Sequence, residues 1–328
     1  MSGPLPLTTH RSMTEFPRAP ATPQSARRRL IQRLAWMGAA LMLLIVALSA
    51  FMRLHQSGLG CADWPACYGQ ILSATPVNAA PDPAVASARA THRIAASAML
   101  LLALALPLLT LPRRPRLARE GKLSLGVLAM TLWLAALGVV SRGSTLPAVV
   151  LGNLLGGFIT LALCVRLAAV AGDAPAPSSG LRRWARLALG LVLLQAILGG
   201  LVSATFSATA CGSWSDCASI AQSTGWDWSM LNPWLAPTAD ALGQAQPRGA
   251  WLQWLHRAGA VVLLAATAAV VVAALASRRR ALALGLAGLL GLQLTLGLLL
   301  TPASLPLAQV LLHNLATALL LALLARLV

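Results

Sequence analysis

Acidic side chains are scarce in this chain: eight Asp and Glu stand against 25 Lys and Arg in 328 residues, and charged residues of every kind make up only 10%. A water-soluble domain carries about a quarter of its residues as charges, so a soluble enzyme is excluded, as are a disordered tail protein and a disulfide-packed mini-domain. None of the eight acids falls within a long apolar run, which removes the intramembrane carboxylate on which a proton-coupled transporter relies. P-loop and Ser-His-Asp arrangements are missing too.

What the chain has is apolar length, with 58% hydrophobic residues. A membrane-spanning helix takes about 20 apolar residues. Eight runs qualify, at 34–53, 92–112, 122–142, 146–166, 184–204, 251–276, 281–301 and 305–327. The expectation is an all-α integral membrane protein of eight transmembrane helices. Residues 1–33, rich in Pro, Ser, Thr and Arg, read as a disordered basic tail. The first run lacks a small-residue cleavage site and reads as an uncleaved helix.

The net charge of +17 is sorted by side. Nineteen of the 25 basic residues fall in the tail, in the segments 113–122, 166–186 and 278–280, and at Arg326, all on one face of such a bundle. The positive-inside rule then makes both termini cytoplasmic and the two long loops, 54–91 and 205–250, extracytoplasmic. The charge orients the bundle and implies no nucleic-acid partner. The partner it does imply is the lipid bilayer.

Self-comparison divides the chain into two tandem four-helix bundles, 34–171 and 172–328, a parallel internal repeat. GCADWPACYG, THRIAASAMLLLAL and LGNLLGGFITLALCVRL in the first half answer ACGSWSDCAS, LHRAGAVVLLAAT and LLHNLATALLLALLARL in the second. The alignment pairs Cys61 with Cys211, Cys67 with Cys217, His92 with His256, Arg93 with Arg257 and Asn153 with His313. Each C-x5-C pair lies in a loop that the charge rule puts in the oxidising compartment, where local disulfides form. A redox-exchanging role is the alternative.

Ionisable residues in a bilayer are functional candidates. His256 and His313 fall at comparable depth on two helices of one four-helix unit, the arrangement that ligates a haem iron in an apolar bundle. Arg257, and by the repeat Arg93, fall where they could pair with haem propionates. No C-x-x-C-H is present, so covalent attachment of the c type is excluded. His10 and His55 read as solvated or local.

RLHQSGLGCADWPACYGQ, the His-Arg at 92 and 93, LHRAG and LLHNLATALLL together resemble the heme A synthase family, from about residue 34 to the end. The resemblance implies an oxidoreductase of a bacterial inner membrane that converts haem O to haem A for cytochrome oxidase assembly, oxidising a ring methyl to a formyl group. It also implies a b-type haem cofactor (iron) held by His256 and His313 in the C-terminal half. Substrate haem O would lie in the N-terminal half near His92, Arg93 and Asn153. Haem O synthase and oxidase-assembly proteins are the implied partners, with an electron donor the sequence does not name. Two positions depart from the family pattern: Asn153 stands where a second histidine is usual, and Arg89 where a glutamate precedes the first histidine by three residues. Asp82, in the same loop, is the candidate replacement for that carboxylate. The alternative functions are a b-type electron carrier and a non-enzymatic haem-handling or assembly factor.

Overall fold

The computed structural model describes residues 23–59, 68, 82–111, 116–140, 144, 146–172, 175–237, 247–300 and 305–328. Nine α-helices occupy the described residues: α1 (Pro23–Gln56), α2 (Pro83–Thr110), α3 (Ala118–Val140), α4 (Pro147–Ala171), α5 (Ser179–Ala204), α6 (Trp214–Thr224), α7 (Ala250–Ala276), α8 (Arg280–Leu299) and α9 (Leu307–Ala325). All but α6 are long and apolar enough to cross a membrane. The protein is an all-α, eight-span membrane protein.

Several helices start earlier than their apolar runs. The tail expected through residue 33 is shorter, because α1 begins at Pro23 and continues without a break into the span. Ile31 is fully buried, and Arg28 Nη2 donates to the Val170 carbonyl on α4 at 3.1 Å. On the same face, Arg28 pairs with Glu120 at 2.9 Å. Glu120, expected in a connecting segment, is instead in the first turn of α3 and buried. Favourable packing of Arg stems and good helix propensity extend a helix past the end of its hydrophobic stretch.

α2 opens at Pro83, not near residue 92, because Asp82 caps it: its carboxylate accepts from the Ala84 N–H at 2.7 Å, and Pro follows at the first helical position. That pairing of N-cap acid and N1 proline starts helices efficiently. His92 is therefore in the third turn of α2, deeper than its expected place at the helix start.

Within the first half, α1 packs on α2, α2 on α3, α3 on α4 and α4 back on α1. In the second half α5, α7, α8 and α9 close a ring in the same order. The halves meet through α1 on α9, α4 on α5 and α4 on α9. This interface is reciprocal, as each half offers its first and last spanning helices. Gly200 lets α5 approach α4 closely, since a Cβ there would stand 2.6 Å from a Leu151 methyl.

The largest apolar core, including Met42, Met99, Phe158, Leu161, Val192, Leu286 and Leu321, fills the end of both rings that bears the tail. Buried polar side chains occur at both ends: Thr110, Glu120 and Ser124 at the tail end, and Ser57, Ser207 and Gln253 at the long-loop end. There Leu54, Leu59, Tyr68, Phe206 and Leu305 join the two halves in a smaller cluster, with Tyr68 and Phe206 edge to face. The second long loop is ordered around α6 and the Cys211–Cys217 disulfide. Trp226 and Trp228 pack on Trp251, and Trp214 and Trp226 on Trp254. Cys61 and Cys67 lie outside the described residues.

Candidate functional site

Two imidazoles dominate the long-loop end of the second half. His256 is the seventh residue of α7 and His313 the seventh of α9, each about 9 Å along its helix at the α-helical rise. The neighbouring helices are shaped for them. On α5, Gly199 faces the His256 ring, where a Cβ would come within 3.0 Å of Cε1. Four residues earlier, buried Gln195 lies over Gly259 of α7, so side chain and glycine interlock in both directions.

On α8 the same spacing recurs. Gly297 faces His313, and Gln293, four residues earlier, places its amide nitrogen 3.0 Å from His313 Nε2 and donates to Thr317 Oγ at 2.8 Å. An amide N–H can only donate, so His313 accepts at Nε2 and carries its proton at Nδ1. Thr317 in turn donates to the His313 carbonyl at 3.0 Å. Among the described residues, Nδ1 of both histidines and Oε1 of both glutamines are buried without a hydrogen-bond partner. Such groups are costly unless something completes them.

The donor set also discriminates. Among the described residues no group of three His, Cys, Asp or Glu could hold a bare metal ion. Two imidazoles suit an iron whose other positions are filled by a macrocycle. The residues present fit such a group.

The first half offers something different. Asn153, again the seventh residue of its helix, turns its amide back to donate to the Val149 carbonyl at 3.1 Å. It lines a cavity of about 390 Å³ together with Arg53, Arg89, Val149, Leu154 and, from the other half, Asn314. His92 is half-buried three residues beyond Arg89 on α2. That spacing puts both on one helix face.

Other expected site residues go elsewhere. Arg93 is exposed. Arg257 donates from Nη1 to Cys217 Sγ at 3.3 Å and so holds the disulfide loop. Asp82 is committed to the α2 cap and to His55, 3.3 Å away at the end of α1. His55 therefore has a specific partner, and Asp82 has no free oxygen directed at the cavity.

Comparison with known proteins fits this arrangement. A family model described as cytochrome oxidase assembly protein (COX15-CtaA) matches residues 32–325. The heme A synthase of Shewanella oneidensis is 32% identical over 314 residues, covering 85% of this chain and 90% of that protein. The chain belongs to the heme A synthase family.

Sequence reasoning missed several residues that shape this heme A synthase family member. Gln195-x3-Gly199 and Gln293-x3-Gly297 are legible as a repeated pattern, one before each histidine's neighbouring wall. Arg53 gave no signal of its own, because its contact with Ser203 Oγ on α5 spans the two halves.

Proposed function

We propose that the protein is a heme A synthase: it takes haem O into the cavity of its first half and oxidises one ring methyl to a formyl group. A resident b-type haem would be held between His256 and His313. The observation that carries this reading is the pair of imidazoles at matching register, each set against a glycine and each with a buried, uncompleted Nδ1. A haem bound there supplies electron-transfer and oxygen chemistry that no side chain provides.

The chain's own residues hold, orient and seal. Gln293 donates to His313 Nε2 and holds the ring proton on Nδ1, so an iron bound at Nε2 would take the place of that amide, which would turn aside. Gln195 and Gly199 set the rotation of His256 against α5. The apolar core at the tail end closes the bottom of both rings to water. His92, three residues beyond the cavity-lining Arg89 on α2, is read as the imidazole that the first half would offer to substrate haem.

The two halves are read as a tandem repeat, 34–171 and 172–328, with the tail end cytoplasmic and the long loops outside a bacterial inner membrane. The uneven distribution of basic residues and the Cys211–Cys217 disulfide both favour that orientation. Haem O synthase and the oxidase assembly machinery are the natural neighbours of such an enzyme.

The test is the haem content of membranes from a strain that makes haem O, with and without this protein. Haem A in the first and none in the second is expected. Intact, haem-loaded protein without haem A would overturn the synthase reading. It would leave a b-type electron carrier, which the Asn153 amide, turned to its own helix, favours as second reading.

A further inference from the structure

The cavity of the first half has an uneven lining. Val46, Ala50, Val149 and Leu154 make apolar walls, while Arg53 and Arg89 stand at its long-loop end. Arg53 is anchored by Ser203 Oγ. Neither arginine has a carboxylate partner among the described residues, whose ion pairs are Arg28 with Glu120, His55 with Asp82 and Arg248 with Asp227. Asp82, within seven residues of Arg89 in the chain, is already held by His55 and the α2 cap. On a third wall Asn314, next to His313, keeps a buried amide nitrogen without a partner.

Arg53 is half-buried without a counter-charge among the described residues, so a bound anion would offset its lost hydration, and exposed Arg89 lines the same cavity, where it can reach that anion. The planar fork of Arg matches a carboxylate bidentately. The apolar walls require that the anion belong to a molecule with a large apolar body.

We propose that Arg53 and Arg89 clamp the carboxylates of the cavity's ligand, with Asn314 donating a further hydrogen bond from the facing wall. This rests on the reading above, under which the carboxylates are the haem O propionates. The clamp then takes over the role expected of Arg93, which does not line the cavity. It also gives Arg89 a function of its own at the place where the family has a glutamate: it binds the substrate's charge instead of supplying one.

The experiment is a spectral titration of the purified, haem-loaded protein in detergent with haem O and with haem O dimethyl ester, for the natural chain and for Arg53→Gln/Arg89→Gln. The natural chain is expected to prefer the free acid by at least tenfold. The double variant should lose about ten- to a hundredfold in affinity for the acid, the worth of one charge-assisted hydrogen bond, while binding the ester within twofold of the natural chain. Asn314→Leu should lose about fivefold for the acid. An unchanged spectrum of the resident haem shows that each variant is folded. Equal affinity for acid and ester in the natural chain, or parallel loss of both in the double variant, would overturn the clamp. So would displacement of haem O by phosphatidylglycerol but not phosphatidylcholine, since the arginines would then serve a lipid headgroup. Acid preference without conversion to haem A would sink the synthase reading and leave the clamp standing. Conversion without acid preference would do the reverse.

Discussion

At the seventh residue of its last helix the first half carries Asn153, and the second half carries His313. The surroundings differ to match. His313 has a glutamine, a threonine and a glycine arranged around it from α8 and its own helix, whereas Asn153 bonds its own backbone and borders open space. The same ring of four helices is thus filled with fixed polar partners on one side and left hollow with two cations on the other. A closely packed pair of imidazoles suits a group that stays, and a hollow with charged residues at its end suits one that comes and goes.

The sharpest way to break this contrast is to remove the imidazoles. His256→Ala or His313→Ala should abolish the low-spin b-type absorption spectrum of the purified protein, and His92→Ala should leave it intact. Loss of that spectrum in all three would mean the halves are not specialised. Asn153→His tests the converse. It puts an imidazole at the register of His313, and haem O bound in the first half should change from a high-spin to a low-spin spectrum; an unaltered spectrum would show that register alone does not make a ligand.

Smaller effects probe the support. Gln293→Leu should strengthen retention of the resident haem by about fivefold in a competition with apomyoglobin, since it frees the His313 Nε2 lone pair from a competing hydrogen bond. Cys211→Ser with Cys217→Ser should lower stability by about 2 kcal/mol, read as an earlier thermal transition with the haem spectrum retained at low temperature.

The smallest effect lies in the second long loop. The hydrogen bonds from the Ser229 hydroxyl and backbone N–H, together with the neighbouring Arg248, hold the Asp227 carboxyl below the usual carboxylate range, although partial burial opposes them. A carboxyl depressed in the folded state adds stability above its unfolded pKa, and that stability is lost as pH falls through the lower, folded value. Trp251 Nε1 donates to the Asp227 carbonyl at 2.8 Å. Tryptophan fluorescence should therefore change on acidification through that range, and Asp227→Asn should remove the change.

Much of the architecture was legible because the bilayer imposes long apolar runs, and all eight spans follow from them. The matching depth of His256 and His313 was legible for the same reason, as both helices begin near their hydrophobic edges. The start of α2 was set nine residues late because Asp82 and Pro83 start it, a capping signal that lies outside the apolar run and does not register in hydropathy. Arg257 was read from its neighbour in sequence, whereas its partner is Cys217, 40 residues earlier and close only after α6 folds over α7. Arg53 was unreadable because its environment is made by Ser203, Arg89 and Asn153, which three other helices bring to it. Hydropathy locates elements, and the cavity between them depends on packing that no single element encodes.

The chain is made from its N-terminus. At the tail end Arg28 has both its partners, Glu120 and the Val170 carbonyl, within the first half, whereas Arg166 reaches the Arg326 carbonyl near the C-terminus. Arg53 must wait for Ser203 on α5. α5 thus both docks the halves and anchors the arginine at the mouth of the cavity, so the cavity of the first half has its final form only with the second half in place.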